Sequence, residues 1–197
     1  VKKNSPNKAA GRWKALLVLA ICAAPMIASY LTYYVIKPAG RTNYGALIDP
    51  REHPLPDLSA RLLDGKAVSL ADYQGKWLML QVDSGACTEV CAKKLFEQRQ
   101  LRLMQGKAMD RIQTVWLITD DKPLDAVLAR AYDGTRMVRV DAAALKKWLP
   151  TDAGTQVEDH IYLIDPMGHL MMRFPKDADP KKVKADMSKL LAASAIG

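Results

Sequence analysis

The segment Lys76–Leu95, "KWLMLQVDSGACTEVCAKKL", decides how this chain folds. Its opening, "KWLMLQV", is a short apolar run of the kind expected in a strand buried on both faces. A loop, Asp83–Ala86, follows, then two cysteines and a helix expected to reach about Met104. A cysteine at a strand–loop–helix junction faces unpaired backbone N–H groups and the positive end of a helix dipole, and both favour a thiolate. The spacing of Cys87 and Cys91, i to i+4, places both sulfurs on one helical face with Cβ atoms about 5–6 Å apart. That leaves three readings open: a structural staple, a redox couple, or two thiolate ligands for one soft ion. As a staple the pair would close so short a loop that it would restrain little chain entropy.

Downstream, "TVWLIT" (114–119) reads as a second buried strand. Leu124, Val127, Leu128 and Ala131 then recur at helical spacing. Asp120 and Asp121, at the end of that second strand, read as turn or cap residues. "IYLID" (161–165) and "HLMMRF" (169–174) flank the turn Asp165-Pro-Met-Gly168 and predict an antiparallel pair. Asp179-Pro180 reads as the N-cap and first residue of a last helix, with Val183, Met187, Leu190 and Leu191 inward. Upstream, Asp64-Gly65 between apolar flanks predicts a tight hairpin. The order hairpin, β, α, β, α, β, β, α, with right-handed crossovers, predicts an α/β, thioredoxin-like layout.

Charge and hydropathy divide the chain. The first 36 residues carry five basic side chains (Lys2, Lys3, Lys8, Arg12, Lys14) and no acidic one. The remainder holds 24 basic against 21 acidic residues, too near balance for a phosphate-binding footprint, so nucleic acid is not an expected partner. Residues 15–36, "ALLVLAICAAPMIASYLTYYVI", run without a charge and would span about 33 Å as a helix, enough for a bilayer core. Tyr30, Tyr33 and Tyr34 sit at one end, as an interfacial aromatic belt would. The apolar run lacks a closing Ala-x-Ala site, so an uncleaved anchor is expected rather than a signal peptide. The basic residues ahead of the span predict a cytoplasmic N-terminus and an exported remainder, a setting in which a disulfide can persist. The expected organisation is a basic tail (1–14), a single transmembrane helix (15–36), a polar tether (37–57) and a thioredoxin-like domain (58–197). Cys22, within the span, reads as a small apolar residue.

Two thiolates suit Cu(I), and an imidazole would complete a three-coordinate site that also accommodates Cu(II). The chain has only three histidines. His53 falls in the expected tether. His169 begins the second hairpin strand, far from the cysteines. His160 directly precedes "IYLID", and in a thioredoxin-like sheet the loop leading into that strand lies beside the start of the cysteine helix. It is therefore the candidate third metal ligand with Cys87 and Cys91. Met167, at the turn, is an exposed thioether, whereas Leu170, Met172 and Phe174 alternate as core residues would. No glycine-rich phosphate loop and no serine with an evident histidine partner point to nucleotide or hydrolytic chemistry.

With these features in place, the chain resembles the Sco/SenC family, membrane-anchored thioredoxin-like proteins of cytochrome c oxidase assembly. The resemblance rests on "DGKAVSLADYQGKW", the Cys-x-x-x-Cys of "CTEVCAKKL", "VWLITDD" and "VEDHIYLIDPMGHL", and covers most of 58–197 together with the anchor. It implies copper bound by Cys87, Cys91 and His160. It further implies delivery of copper to, or thiol reduction of, the dinuclear copper (CuA) site of oxidase subunit II, on the periplasmic side of a bacterial inner membrane. Other oxidase assembly factors are expected among its partners. The chain departs from the family pattern at Ala92, where proline is usual, in the short distance from His160 to Tyr162, and in a segment between Arg139 and Glu158 expected to be shorter by about one strand pair. The alternatives are a thiol–disulfide oxidoreductase, with Cys87 attacking substrate and Cys91 resolving the mixed disulfide, and a non-catalytic accessory subunit of a respiratory oxidase.

Overall fold

The structure, a computed structural model, describes residues 8–36 and 43–196. The first seven residues of the expected basic tail and residues 37–42 of the expected tether lie outside the described part. The chain divides into two compact units, Val1–Thr42 and Asn43–Gly197.

The first unit is one helix, α1 (Lys8–Leu31), continued by a π-helical turn over Thr32–Ile36. The stretch Arg12–Val35 has a mean hydropathy of 2.1 and none of its side chains is buried within the protein. Length and composition thus make it a membrane-spanning helix, the only such helix among the described residues. Pro25 lies within it, where the missing N–H is tolerable in a spanning helix. The Thr32 hydroxyl donates to the Ala28 carbonyl at 2.8 Å near the turn where the helix widens.

The second unit is an eight-stranded mixed sheet in the order β1-β8-β7-β4-β5-β6-β2-β3. Its centre is parallel: β4 (Trp77–Asp83) pairs with β5 (Ile112–Ile118), and β5 with β6 (Arg136–Arg139). The remaining strands are β1 (Ala46–Leu47), β2 (Ala60–Leu62), β3 (Ala67–Val68), β7 (Ile161–Ile164) and β8 (Leu170–Phe174), and all pair antiparallel. Strand β4 is buried along its whole length, as its apolar run requires. The helices are α2 (Glu89–Leu103), α3 (Ala126–Ala131), α4 (Ala142–Trp148) and α5 (Pro180–Ala193).

Alternation along the strands sorts the core. Trp77, Met79, Ile112, Trp116, Ile118, Ile161 and Leu163 meet α2, α3 and α5 on one face. Leu78, Leu80, Val82, Val115, Leu117, Tyr162 and Ile164 meet Leu145, Trp148 and Val157 on the other. A bulge between Leu163 and Ile164 shifts the register opposite β8. Leu170 therefore joins one core while Met172 and Phe174 join the other, although simple alternation puts all three on a single face.

The tether is shorter than expected, because Ala46–Leu47 pairs with Met172–Arg173 of β8 and the N–H groups of Tyr44 and Gly45 donate to Asp186 of α5 at 2.7 and 2.9 Å. The segment between Arg139 and Glu158 contains α4, capped by Asp141, whose carboxylate accepts from Ala144 N–H at 3.0 Å. Strand β6 precedes it as a third parallel strand.

Candidate functional site

Cys87 and Cys91 are joined as a disulfide with Cα atoms 5.2 Å apart. The expected geometry, both cysteines on one helical face, is corrected by the backbone. Helix α2 begins at Glu89 with Thr88 as its N-cap residue, so Cys87 lies just ahead of the helix. Its φ of +35° turns the chain back, an unusual conformation for a residue with a Cβ. Cys91 sits in the first turn. Thr88 makes no side-chain cap, which leaves first-turn N–H groups of α2 without that partner.

The sulfurs differ in access. Cys87 is half-buried, whereas Cys91 is 1% exposed and packs against Leu95, Trp116, Ile118 and Met137. In the disulfide form an incoming group can reach the first and not the second.

Asp120 holds the loop that carries Cys87. Its carboxylate accepts from the Ser84 hydroxyl at 2.5 Å and from the Gly85 N–H at 2.8 Å. Burial acts against the charge, but the bonds from Ser84, Gly85 and Lys122 keep its carboxyl below the usual aspartate range. Gly85 is required by close approach: a Cβ there would stand 2.6 Å from the Lys122 carbonyl oxygen. The Arg139 guanidinium donates to the carbonyls of Asp120 and Lys122 and fixes the other side of the loop.

Beneath Cys91 lies a polar chain. Gln81 Nε2 stands 2.9 Å from Asp83 Oδ2, 3.1 Å from the Cys91 carbonyl oxygen and 3.5 Å from Cys91 Sγ. Asp83 pairs with Lys94 Nζ at 2.6 Å, and that ammonium also donates to the carbonyls of Val82 and Glu158. Burial pushes the Asp83 carboxyl up, against the pull of Lys94 and Gln81. The sequence signal for this group was a glutamine and an aspartate closing an otherwise apolar strand.

His160 does not join the sulfurs. It is fully buried, with Nδ1 2.9 Å from the Phe174 carbonyl oxygen and Nε2 2.7 Å from Thr155 Oγ1. Its ring meets Tyr162 edge-on, centroids 5.9 Å apart. Two residues before Tyr162 in extended backbone, it shares that residue's sheet face, opposite the face that carries α2. The loop passes where expected, since the Glu158 carbonyl accepts from Lys94 of α2, but the register turns the imidazole away. Among the described residues no group of three His, Cys, Asp or Glu side chains forms that could hold a metal. His53 and His169 are likewise engaged, with the Trp148 carbonyl at 2.9 Å and Asp165 at 3.1 Å. Met167 is exposed at its turn, as expected.

Reduction would open two sulfurs, and a two-sulfur site fits Cu(I), a soft ion. It does not fit Cu(II), which favours nitrogen and oxygen donors in larger number.

No curated protein matches the chain. Among solved structures, copper-bound ScoI of Bradyrhizobium japonicum is 21% identical, covers 68% of this chain and 97% of its own, and superposes with a TM-score of 0.50. Copper-bound yeast Sco1 is 16% identical over 71% of this chain and 91% of its own, with a TM-score of 0.51. A thiol:disulfide interchange protein from Bacteroides sp. is 19% identical over 71% and 89%, also at 0.51. The resemblance to Sco proteins thus holds at the level of the fold, which is thioredoxin-like. A family profile described as transmembrane-like, N-terminal domain matches residues 6–35, in accord with a membrane anchor. A companion profile matches residues 77–194, from the first residue of β4 to the residue after α5, and by that match the chain belongs to the family of transmembrane-like proteins with a thioredoxin-like C-terminal domain.

Proposed function

We propose that this protein is a membrane-anchored dithiol–disulfide exchange protein that serves assembly of the copper site of cytochrome c oxidase at the periplasmic face of a bacterial inner membrane. The observation that carries the reading is the unequal access of the two sulfurs on a thioredoxin-like scaffold. In the reduced chain, the Cys87 thiolate attacks one sulfur of a disulfide in oxidase subunit II. That bond breaks, a mixed disulfide forms, and one partner thiolate leaves. The Cys91 thiolate then attacks the Cys87 sulfur and releases the second partner thiolate. The partner gains two electrons and ends as a dithiol; this chain ends as the disulfide seen here. The loop bonds from Asp120 keep Cys87 at the surface through both steps.

A second reading, Cu(I) carriage by the same pair, is supported by the two soft donors once the bond is open. It gives Cys87 and Cys91 as the whole ligand set, without His160.

Both readings are tested on the full chain in detergent micelles. A Cys91→Ser variant is expected to accumulate a mixed disulfide through Cys87 with oxidase subunit II; failure to trap it would sink the exchange reading. For copper, the reduced wild type is expected to take one Cu(I) in competition with a chromophoric chelator. Cys87→Ser should lose that binding and His160→Ala should keep it. A reduced wild type that takes none would end the carriage reading.

A further inference from the structure

We infer that Gln81 sets how readily the Cys87–Cys91 bond is reduced, by donating an amide hydrogen bond to the Cys91 sulfur once that sulfur carries charge. The inference rests on the exchange chemistry proposed above.

Gln81 is fully buried in the central strand, on the face where its neighbours Trp77 and Met79 are apolar core residues. An amide in that position must answer to local partners. Its Oε1 has none among the described residues, so the acceptor side does not explain the glutamine. The donor side does. Nε2 carries two hydrogens and faces three acceptors: Asp83 Oδ2 at 2.9 Å, the Cys91 carbonyl at 3.1 Å and Cys91 Sγ at 3.5 Å. Lys94 fixes Asp83 at 2.6 Å, which commits the first hydrogen. The second is shared between the carbonyl and the sulfur of one residue.

A sulfur in a disulfide is neutral and accepts weakly, whereas a thiolate accepts in a charge-assisted bond about twice as strong as a neutral one. The same N–H therefore does little for the bonded state and much for the reduced one. Its net effect is to favour the dithiol, which moderates the pair as a reductant in the exchange proposed above and makes its disulfide easier to reduce again. Asp83 has two opposing influences: it orients the amide, and its own negative charge disfavours a nearby thiolate.

The test uses the full chain in micelles, equilibrated with mixtures of reduced and oxidised glutathione. Two glutathione thiols supply the electrons and leave as one glutathione disulfide. After acid quenching, free thiols are counted by a maleimide mass tag. Gln81→Met, which keeps the side-chain length and removes the donor, is expected to move the equilibrium about tenfold toward the disulfide, or about 30 mV for a two-electron couple. Asp83→Asn is expected to move it the other way. An unchanged midpoint in Gln81→Met, or a shift toward dithiol, overturns the inference while leaving exchange intact. A wild type that never equilibrates with glutathione overturns the exchange reading and this inference with it. Should Gln81→Met not fold, Gln81→Leu, which also removes the donor, decides: a shift toward the disulfide supports the inference, and no shift or a shift toward the dithiol overturns it.

Discussion

Asp120 shows how much one side chain at a strand end can control. The sequence marks it as a turn or cap residue, and it does close a turn, but the turn is the one that presents Cys87. Asp120→Asn is expected to destabilise the second unit by roughly 1–2 kcal/mol, the usual range for a charged acceptor that organises backbone N–H groups. The pH dependence has a definite sign. The folded-state value lies below the ordinary 3.8, so the stabilisation is fully present above 3.8 and is lost as pH falls through the lower folded-state value. Thermal midpoints of wild type and Asp120→Asn should differ at neutral pH and converge in acid; a constant gap would refute this. His160 illustrates the opposite limit. Its nearness to the cysteine helix was legible from its place ahead of β7. Its facing was not, because every residue of β7 is buried and an all-apolar strand carries no alternation to distinguish its two sides.

Among the elements, β4, α2, β5, α5 and the β7–β8 pair were legible because each has a long apolar run, a clear period or a turn signature. Strand β6 was not. It has four residues, two of them arginine, and only Met137 and Val138 reach the core. The strand exists because β5 and β2 supply partners on both sides, a tertiary cause that local pattern does not encode. The contact between residues 44–45 and α5 has the same character. Asp186 is 2% exposed and accepts two backbone N–H groups from the segment that leads into β1. Asp186→Ala would leave both donors without that acceptor, the Gly45 N–H buried and the Tyr44 N–H partly so, at a cost on the order of 2–3 kcal/mol. Urea unfolding should show this loss, and amide exchange should accelerate selectively at Tyr44 and Gly45. Uniform acceleration across the sheet would argue against a local clasp.

On the scale of the whole chain, composition alone separated a basic, apolar beginning from a nearly neutral remainder, and the two compact units follow that division. The proposed orientation follows from the basic residues ahead of the span. Alkaline phosphatase fused after Gly197 is expected to be active in a bacterial host, and a fusion active only with the opposite topology would reverse the assignment. Strand β1 has one more consequence. Proteins tethered to a bilayer are confined to a plane, where identical neighbours meet far more often than in free solution. An uncovered outer strand would offer each encounter a ready ladder of amides and carbonyls for sheet-to-sheet growth. Ala46 and Leu47, with the Ile48 N–H donating to the Met171 carbonyl at 3.0 Å, occupy that ladder on β8. The few residues that begin the second unit thereby cover part of the outer edge of β8 and leave only a two-residue strand at that border of the sheet.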